Sequence, residues 1–313
     1  MSRTNAVPRA YETIHLGFST IIALLLILFT AACDGKGGDT NLIDVVSAAE
    51  VPVPTTPTVV TAEPPRPAVS PTVTYAEAES VFNAKRYAEA TEMFAVIAER
   101  RPEIAWGHYM LGLSAWKAGN RERAEAAFLI AIERDSNHVK SHLNLARVLV
   151  ETGRATDALA HVEKALTVDS TSVDGYRILG RIRGELKEID ASIVAYRTAI
   201  GLDEKDAWSM NNMAFLLIRN DRFEEAIGPL ARAVELVPGS AVFQNNLGMA
   251  LERTGRYTQA AEAYRAALTA DSTYGKATVS LARVEGLKQD PTIVPVDLAV
   301  LAGEFVASVK GGE

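Results

Sequence analysis

Residues 241–274 read AVFQNNLGMALERTGRYTQAAEAYRAALTADSTY, and residues 207–240, AWSMNNMAFLLIRNDRFEEAIGPLARAVELVPGS, align with them without a gap. The same 34-residue spacing runs back to Pro71. Small residues recur at Ala78, Gly112, Ala146, Gly180, Ala214, Gly248 and Ala282, and alanines at Ala131, Ala165, Ala199, Ala233 and Ala267. Bulky side chains hold a third register at Phe94, Phe128, Val162, Tyr196, Leu230 and Tyr264. Three registers sharing one period mark stacked structural repeats.

Each unit reads as two amphipathic helices. In the third, Leu143, Leu145, Ala146, Leu149 and Val150 have helical spacing, Thr152-Gly153-Arg154 breaks it, and Ala158, Leu159, Val162, Ala165 and Leu166 resume it. The break recurs as Ala118-Gly119-Asn120 and Thr254-Gly255-Arg256. One such hairpin cannot bury its own apolar faces, so several must stack for any to be stable. In the sixth unit Leu247, Gly248, Leu251, Tyr257, Ala260, Tyr264 and Ala267 resemble the tetratricopeptide repeat (TPR) pattern. The resemblance implies an all-α, right-handed α-solenoid over 71–289: six hairpins at 71–104, 105–138, 139–172, 173–206, 207–240 and 241–274, then a solvating helix over 275–289. Two departures stand out. Glu77 occupies a position that is Leu or Met in later units, which reads as a terminal cap. The family's turn proline is kept at Pro102 and Pro238 but is Ser136, Ser170, Glu204 and Ser272 elsewhere, which predicts looser turns.

The N-terminus reads as an address. Arg3 and Arg9 precede an apolar run from Ile21 to Phe29 that ends in Thr30-Ala31-Ala32 before Cys33, the single cysteine. This resembles a bacterial lipoprotein signal peptide over 1–32, which implies that Cys33 carries a lipid and begins the mature chain. The other reading is an uncleaved anchor helix, which spans a membrane only with about 20 apolar residues. Either way, positive residues before the run place the rest of the chain on the exported side, so the expected location is the cell envelope, facing the periplasm. Asp34 resembles an inner-membrane retention signal, and the choice between inner and outer membrane stays open. Residues 33–70, rich in Gly and then Pro, form a tether too proline-dense for a packed core.

The net charge of −7 becomes −8 once Arg3, Arg9 and Glu12 are removed with the leader. That balance argues against nucleic acid as the main partner. No phosphate-cradling glycine loop, nucleophile elbow, metalloprotease helix or thiol pair occurs, and neither an enzyme, a cofactor nor a small-molecule substrate is expected. His108 and His142 share a register and His138 lies four residues before His142, but with no grouped acidic or thiol ligand they read as packing or surface histidines.

First helices line the inner face of such a solenoid. They project Trp106, Tyr109, Met110, Leu113 and Trp116 there in the second unit, and Phe215, Met249 and Arg219 further on. The candidate binding residues are Asn144, Arg147, Arg177, Arg181, Trp208, Asn211, Asn212, Asn245, Asn246, Arg253 and Lys276. An asparagine amide both donates and accepts, matching a peptide backbone. The arginines and Lys276 would hold acidic side chains or a terminal carboxylate. The other reading is that each is a solvated polar residue, with Asn bonding its own helix. The chaperone-tail clamp found in this family is matched only in fragments.

Pro229, after Gly228, falls inside the second helix of the fifth unit, implying a kink held by packing or a bend that opens the groove. Beyond Asp290-Pro291 and Pro295, residues 290–313 carry Leu298, Leu301, Phe305 and Val309 on one helical face, read as a cover for the open end of the solenoid or as a groove ligand. Together these features predict a membrane-tethered envelope adaptor that binds a protein segment. A pilotin-like assembly factor for a secretin or type IV pilus, and a scaffold for cell-wall or polysaccharide enzymes, are the alternatives.

Overall fold

The computed structural model describes residues 72–311. The expected leader, Cys33 and the tether lie outside the described residues. Among those described, the chain forms fourteen helices. The hairpins are α1 Tyr75–Asn83 with α2 Tyr87–Arg100, α3 Ala105–Lys117 with α4 Arg121–Arg134, α5 Val139–Glu151 with α6 Ala155–Val168, α7 Val173–Glu185 with α8 Ile189–Leu202, α9 Ala207–Arg219 with α10 Phe223–Leu236, and α11 Ala241–Arg253 with α12 Tyr257–Ala270. Then come α13, Gly275–Glu285, and α14, Leu298–Lys310. The unit starts expected from the period at 105, 139, 173, 207, 241 and 275 are the first residues of α3, α5, α7, α9, α11 and α13. No helix among the described residues is long and apolar enough to cross a membrane.

Glu77, the odd residue of the first unit, closes the start of α1, a local role separate from any capping of the solenoid. Its carboxylate accepts the Thr74 N–H at 2.7 Å while Thr74 Oγ1 accepts the Glu77 N–H, a reciprocal capping box that satisfies two free donors at the helix start. The turn inside each hairpin places one residue in the left-handed region. Gly119, Gly153 and Gly255 take it at φ of 85°, 76° and 78°, and Lys85, Lys187 and Asp221 take it where the glycine is missing.

The turns between hairpins are not loosened by loss of proline. In each unit without it, an aspartate carboxylate accepts a backbone N–H two residues on: Asp135 from Asn137 at 3.0 Å, Asp169 from Thr171 at 3.1 Å, Asp203 from Lys205 at 2.9 Å and Asp271 from Thr273 at 2.9 Å. The Asx bond replaces the ring as the brake on the chain.

Within hairpins the small and bulky registers meet. A Cβ on Gly112 would lie 2.7 Å from Phe128, on Gly180 2.8 Å from Tyr196, and on Gly248 2.6 Å from Tyr264, each a clash with a ring. Ala146 and Ala214 occur where the bulky residue is Val162 or Leu230. Phe94, Phe128 and Tyr264 are fully buried, and burying a side chain of that kind contributes about 1.5–3 kcal/mol.

From α1 to α13 each helix packs on the next along the chain, and successive first helices also touch: α3 on α5, α5 on α7, α7 on α9, α9 on α11 and α11 on α13. Successive second helices do not pack comparably. Rows that converge on one side curve toward it, so the first helices form the inner row.

The C-terminal helix neither covers the end of the solenoid nor enters the inner row. It packs on the second helices α10 and α8. The connecting segment is held on α12, where Gln259 donates to the Val296 carbonyl at 2.8 Å and accepts its N–H at 3.0 Å. Phe305 is buried among apolar residues of the last units, with Leu298, Leu301 and Val309 packed beside it. Arg197 donates to the Ser308 carbonyl and Lys310 pairs with Glu204 at 2.8 Å. Gly228 provides the lane for this helix, and α10 continues through the buried Pro229.

Candidate functional site

The inner row changes character along its length. Toward the N-terminus it is aromatic: Trp106 is 41% exposed with the Lys140 ammonium 5.6 Å from its ring, while Tyr109 and Met110 are buried. Trp116 donates its indole N–H to Glu151 at 3.0 Å, and Arg121 reaches the same carboxylate at 3.1 Å.

The middle of the row is a chain of charges from α5 to α9. Asn144 donates to the Lys140 carbonyl at 3.0 Å, a bond within its own helix, and accepts from Arg147 at 2.6 Å. Arg147 also pairs with Asp174. Asp174 accepts from Arg177 at 2.6 Å, and Arg177 donates onward to Asp206 at 2.9 Å. Asp206 caps α9 by accepting the Ser209 N–H. Burial pushes the Asp174 carboxyl up, but the flanking Arg147 and Arg177 guanidiniums outweigh it and hold the group below the ordinary carboxylate range. Burial likewise lowers Arg177, and Asp206 and Asp174 reverse this. Arg147 and Arg177 therefore have their counter-ions inside the chain. Sequence reasoning missed Asp174 and Asp206. The legible signal was that both sit 34-residue steps from inner-row positions or just before a helix start.

Toward the C-terminus the row is amide-rich. Asn246 on α11 donates to Asn211 on α9 at 2.8 Å, tying the two helices together, and both are buried. Asn211 donates to the half-buried Asn212 at 3.4 Å, and Asn245 to Asn246 at 3.5 Å. Asn212 and Asn246 share a register with Asn144, but Ile178 interrupts the line between them. Trp208 is 44% exposed, edge-on to Phe243 with centroids 5.0 Å apart. Arg253 lies 4.4 Å from the Phe223 ring and 3.5 Å from Asp221. Lys276, in the first turn of α13, is also engaged.

Three buried polar atoms on this row have no partner: Arg181 Nε on α7, Arg219 Nη1 on α9 and Asn245 Oδ1 on α11. They sit on three consecutive first helices. The remaining unpartnered side-chain atoms among the described residues, Arg232 Nε and Arg256 Nε, belong to guanidiniums already paired with Glu235 and Glu224. Burial lowers Arg181, against the nearby Glu151, and also lowers Arg219, against Glu185.

The histidines are held by ordinary contacts. His108 Nε2 meets the Pro102 carbonyl at 3.0 Å and His142 Nε2 the Ser136 carbonyl at 3.2 Å. His142 Nδ1 lies 3.1 Å from Nδ1 of His161 on α6, a pairing no sequence spacing announced. His138 caps α5, accepting the Ser141 N–H. Among the described residues no group of three or more His, Cys, Asp or Glu is placed to hold a metal ion.

The model of the tetratricopeptide repeat family matches residues 109–175, 143–207 and 211–274, together about half of the chain. The protein O-mannosyl-transferase Tmtc3 of Drosophila melanogaster is 24% identical over 147 residues, 47% of this chain and 16% of that protein. Tetratricopeptide repeat protein 37 of Xenopus laevis is 25% identical over 240 residues, 72% of this chain and 15% of that protein. The chain thus spans about one sixth of the length of these curated relatives. The structure of yeast Tom70, 18% identical, superposes with a TM-score of 0.52 over 63% of this chain and 42% of that one, a likeness of fold.

Proposed function

The chain belongs to the tetratricopeptide repeat family, and from that premise we propose that this protein-binding scaffold is a tethered adaptor of the bacterial envelope whose inner row holds an extended segment of a partner protein. The observation that carries the reading is the placement of unmet hydrogen-bonding groups. Arg181, Arg219 and Asn245 lie on three successive inner-row helices, whereas the arginines of the outer row have partners. A buried polar group left unmatched costs about 1–3 kcal/mol, and a docked strand would remove that cost by offering N–H groups to Asn245 Oδ1 and acceptors to the guanidiniums. The exposed Trp208, at the other end of α9 from Arg219, suits an apolar side chain of the same segment.

The tether reading rests on Cys33, the run before it and the proline-rich stretch after it. About forty residues of such composition would reach on the order of 120 Å at about 3.1 Å per residue, which would let the repeats work well away from a bilayer.

Selection of a random dodecapeptide display library on the immobilised full chain tests the groove. Wild type should enrich one related set of sequences, and Trp208→Ala combined with Asn246→Ala should lose it. Equal enrichment on both proteins would refute the assignment of this face.

A further inference from the structure

The inner row is incomplete at its N-terminal end. The repeat period would start the first helix at residue 71, as it starts α3 at Ala105 and α5 at Val139, but residues 72–74 are not helical and α1 begins at Tyr75. One turn of that helix is therefore missing, and α1 does not pack on α3 as later first helices pack on theirs. Trp106 borders the gap. Thr72 stands one repeat before it in register. The ring and cation neighbours of the indole lie on its own helix or toward α5: Tyr109 at 5.0 Å, His138 at 6.2 Å and the Lys140 ammonium at 5.6 Å. On the side of α1, Trp106 and Tyr75 are both exposed.

The chain that precedes the described residues arrives at this place. Arg100, the last residue of α2, donates to the Val73 carbonyl, and Val73 is buried, so the entry point is fixed beside the turn into α3. Residues 63–71 read EPPRPAVSP. Proline at this density favours polyproline II, a conformation that aromatic-lined grooves recognise at little ordering cost, and Ser70-Pro71 is a turn-forming pair. Pro65 precedes Thr72 by seven residues, about 20 Å of such chain, whereas neighbouring helix axes are roughly 8–10 Å apart. The run therefore reaches Trp106 with slack. The charges match in the same order. Arg66, nearer the entry point, meets α1, which carries Glu77 and Glu79 and no basic residue, while Glu63, further along, meets the Lys140 ammonium beside the indole.

We infer that residues 64–67 fold back onto the aromatic end of the inner row, with their prolines stacked on Trp106, and take the place of the missing turn. The occupant is this chain's own segment. A short connection gives it an effective concentration in the millimolar range, so weak contacts suffice, and a partner segment entering the row at this end must displace it. This contact goes beyond the partner-binding function and stands whether or not the amide-rich end of the row binds a partner.

The test uses the full chain labelled with fluorotryptophan, in which Trp106, Trp116 and Trp208 give separate fluorine resonances, assigned by single Trp→Phe variants. The variant Pro64→Ser/Pro65→Ser/Pro67→Ser keeps the chain length and leaves the repeats untouched. In it the Trp106 resonance should shift and should broaden more strongly with a soluble paramagnetic agent, while Trp116 and Trp208 stay in place. A synthetic peptide of residues 60–71, at millimolar concentration, should return the variant's Trp106 signal to the wild-type position and leave wild type unchanged. Identical Trp106 signals in wild type and variant would overturn the inference, as would a peptide that leaves the variant's signal where it is. Movement of all three resonances together would mark a general change in the repeats and equally overturn it. A wild-type Trp106 signal that moves to the variant's position on dilution would assign the occupant to a second copy and overturn the internal contact.

Discussion

A methyl group added to Gly228 would come within 3.1 Å of the Leu301 carbonyl oxygen and 3.3 Å of Phe305 Cβ. The backbone of α14 therefore lies against a second helix at a point where even one added carbon is tight and a large side chain would have to displace α14. Substituting Gly228→Leu should lift α14 from α10, costing about 1–3 kcal/mol by overpacking. Trypsin should then cut at Lys288 and Lys310 faster than in wild type, and thermal unfolding should begin earlier. Gly239→Ala, where nothing lies within 4 Å of the added carbon, should do neither.

The small and bulky registers make a matched prediction inside the hairpins. Gly112→Ala should destabilise the chain by about 1–3 kcal/mol, because the new carbon meets the Phe128 ring at 2.7 Å. Adding Phe128→Leu recreates the Ala214 and Leu230 pairing of the fifth unit, so the double variant should be more stable than the sum of the single changes by about 0.5 kcal/mol or more, the size of coupling that contacting residues show. Urea unfolding of the four proteins measures it.

The His142 and His161 imidazoles, 3.1 Å apart, predict loss of stability in acid. Burial lowers both below the ordinary value of 6.5. Lys164 lowers His142 further and His142 lowers His161 further, while the Ser136 carbonyl and Asp135 oppose the shift of His142, and Asp157 and Glu125 that of His161. A base with a depressed folded-state value binds more protons when unfolded. Its contribution is complete above 6.5 and is lost as pH falls through that value toward the folded one. The urea midpoint should drop between pH 7.5 and pH 5, and His161→Gln should flatten the slope. An unchanged slope would remove the pair as its cause.

Cys33 governs the proposed location. In the source cells Cys33→Ser should abolish incorporation of labelled fatty acid and release the protein from the membrane fraction without altering the melting temperature of the repeats. Wild type found unlabelled and free of membranes would refute the anchor.

Much of the architecture was legible because one period repeats without a gap: a fixed spacing gives the helix starts at Ala105, Val139, Val173, Ala207, Ala241 and Gly275 directly. Contacts between registers were harder to read. The fit of Gly112 to Phe128 depends on distance across a hairpin, which no single register encodes. The position of α14 depends on a lane at Gly228 that only three-dimensional packing reveals. Among the polar residues, spacing located Arg147, Arg177 and Arg181 on one row but could not separate them. Arg147 and Arg177 find Asp174 and Asp206, residues distant in sequence, and Arg181 finds no partner. Charge pairing across helices is a property of side-chain reach, and sequence periodicity is blind to it.

Whether the inner row is the binding face is decided by site-specific photocrosslinking of the full chain in its own cells, with a photoreactive residue at position 212 on the inner row and, separately, at position 194, an outer-row valine that is 62% exposed. Binding along the inner row predicts capture of one discrete protein through a short segment from position 212 and not from position 194. Capture from position 194 alone, or identical products from both, would contradict it.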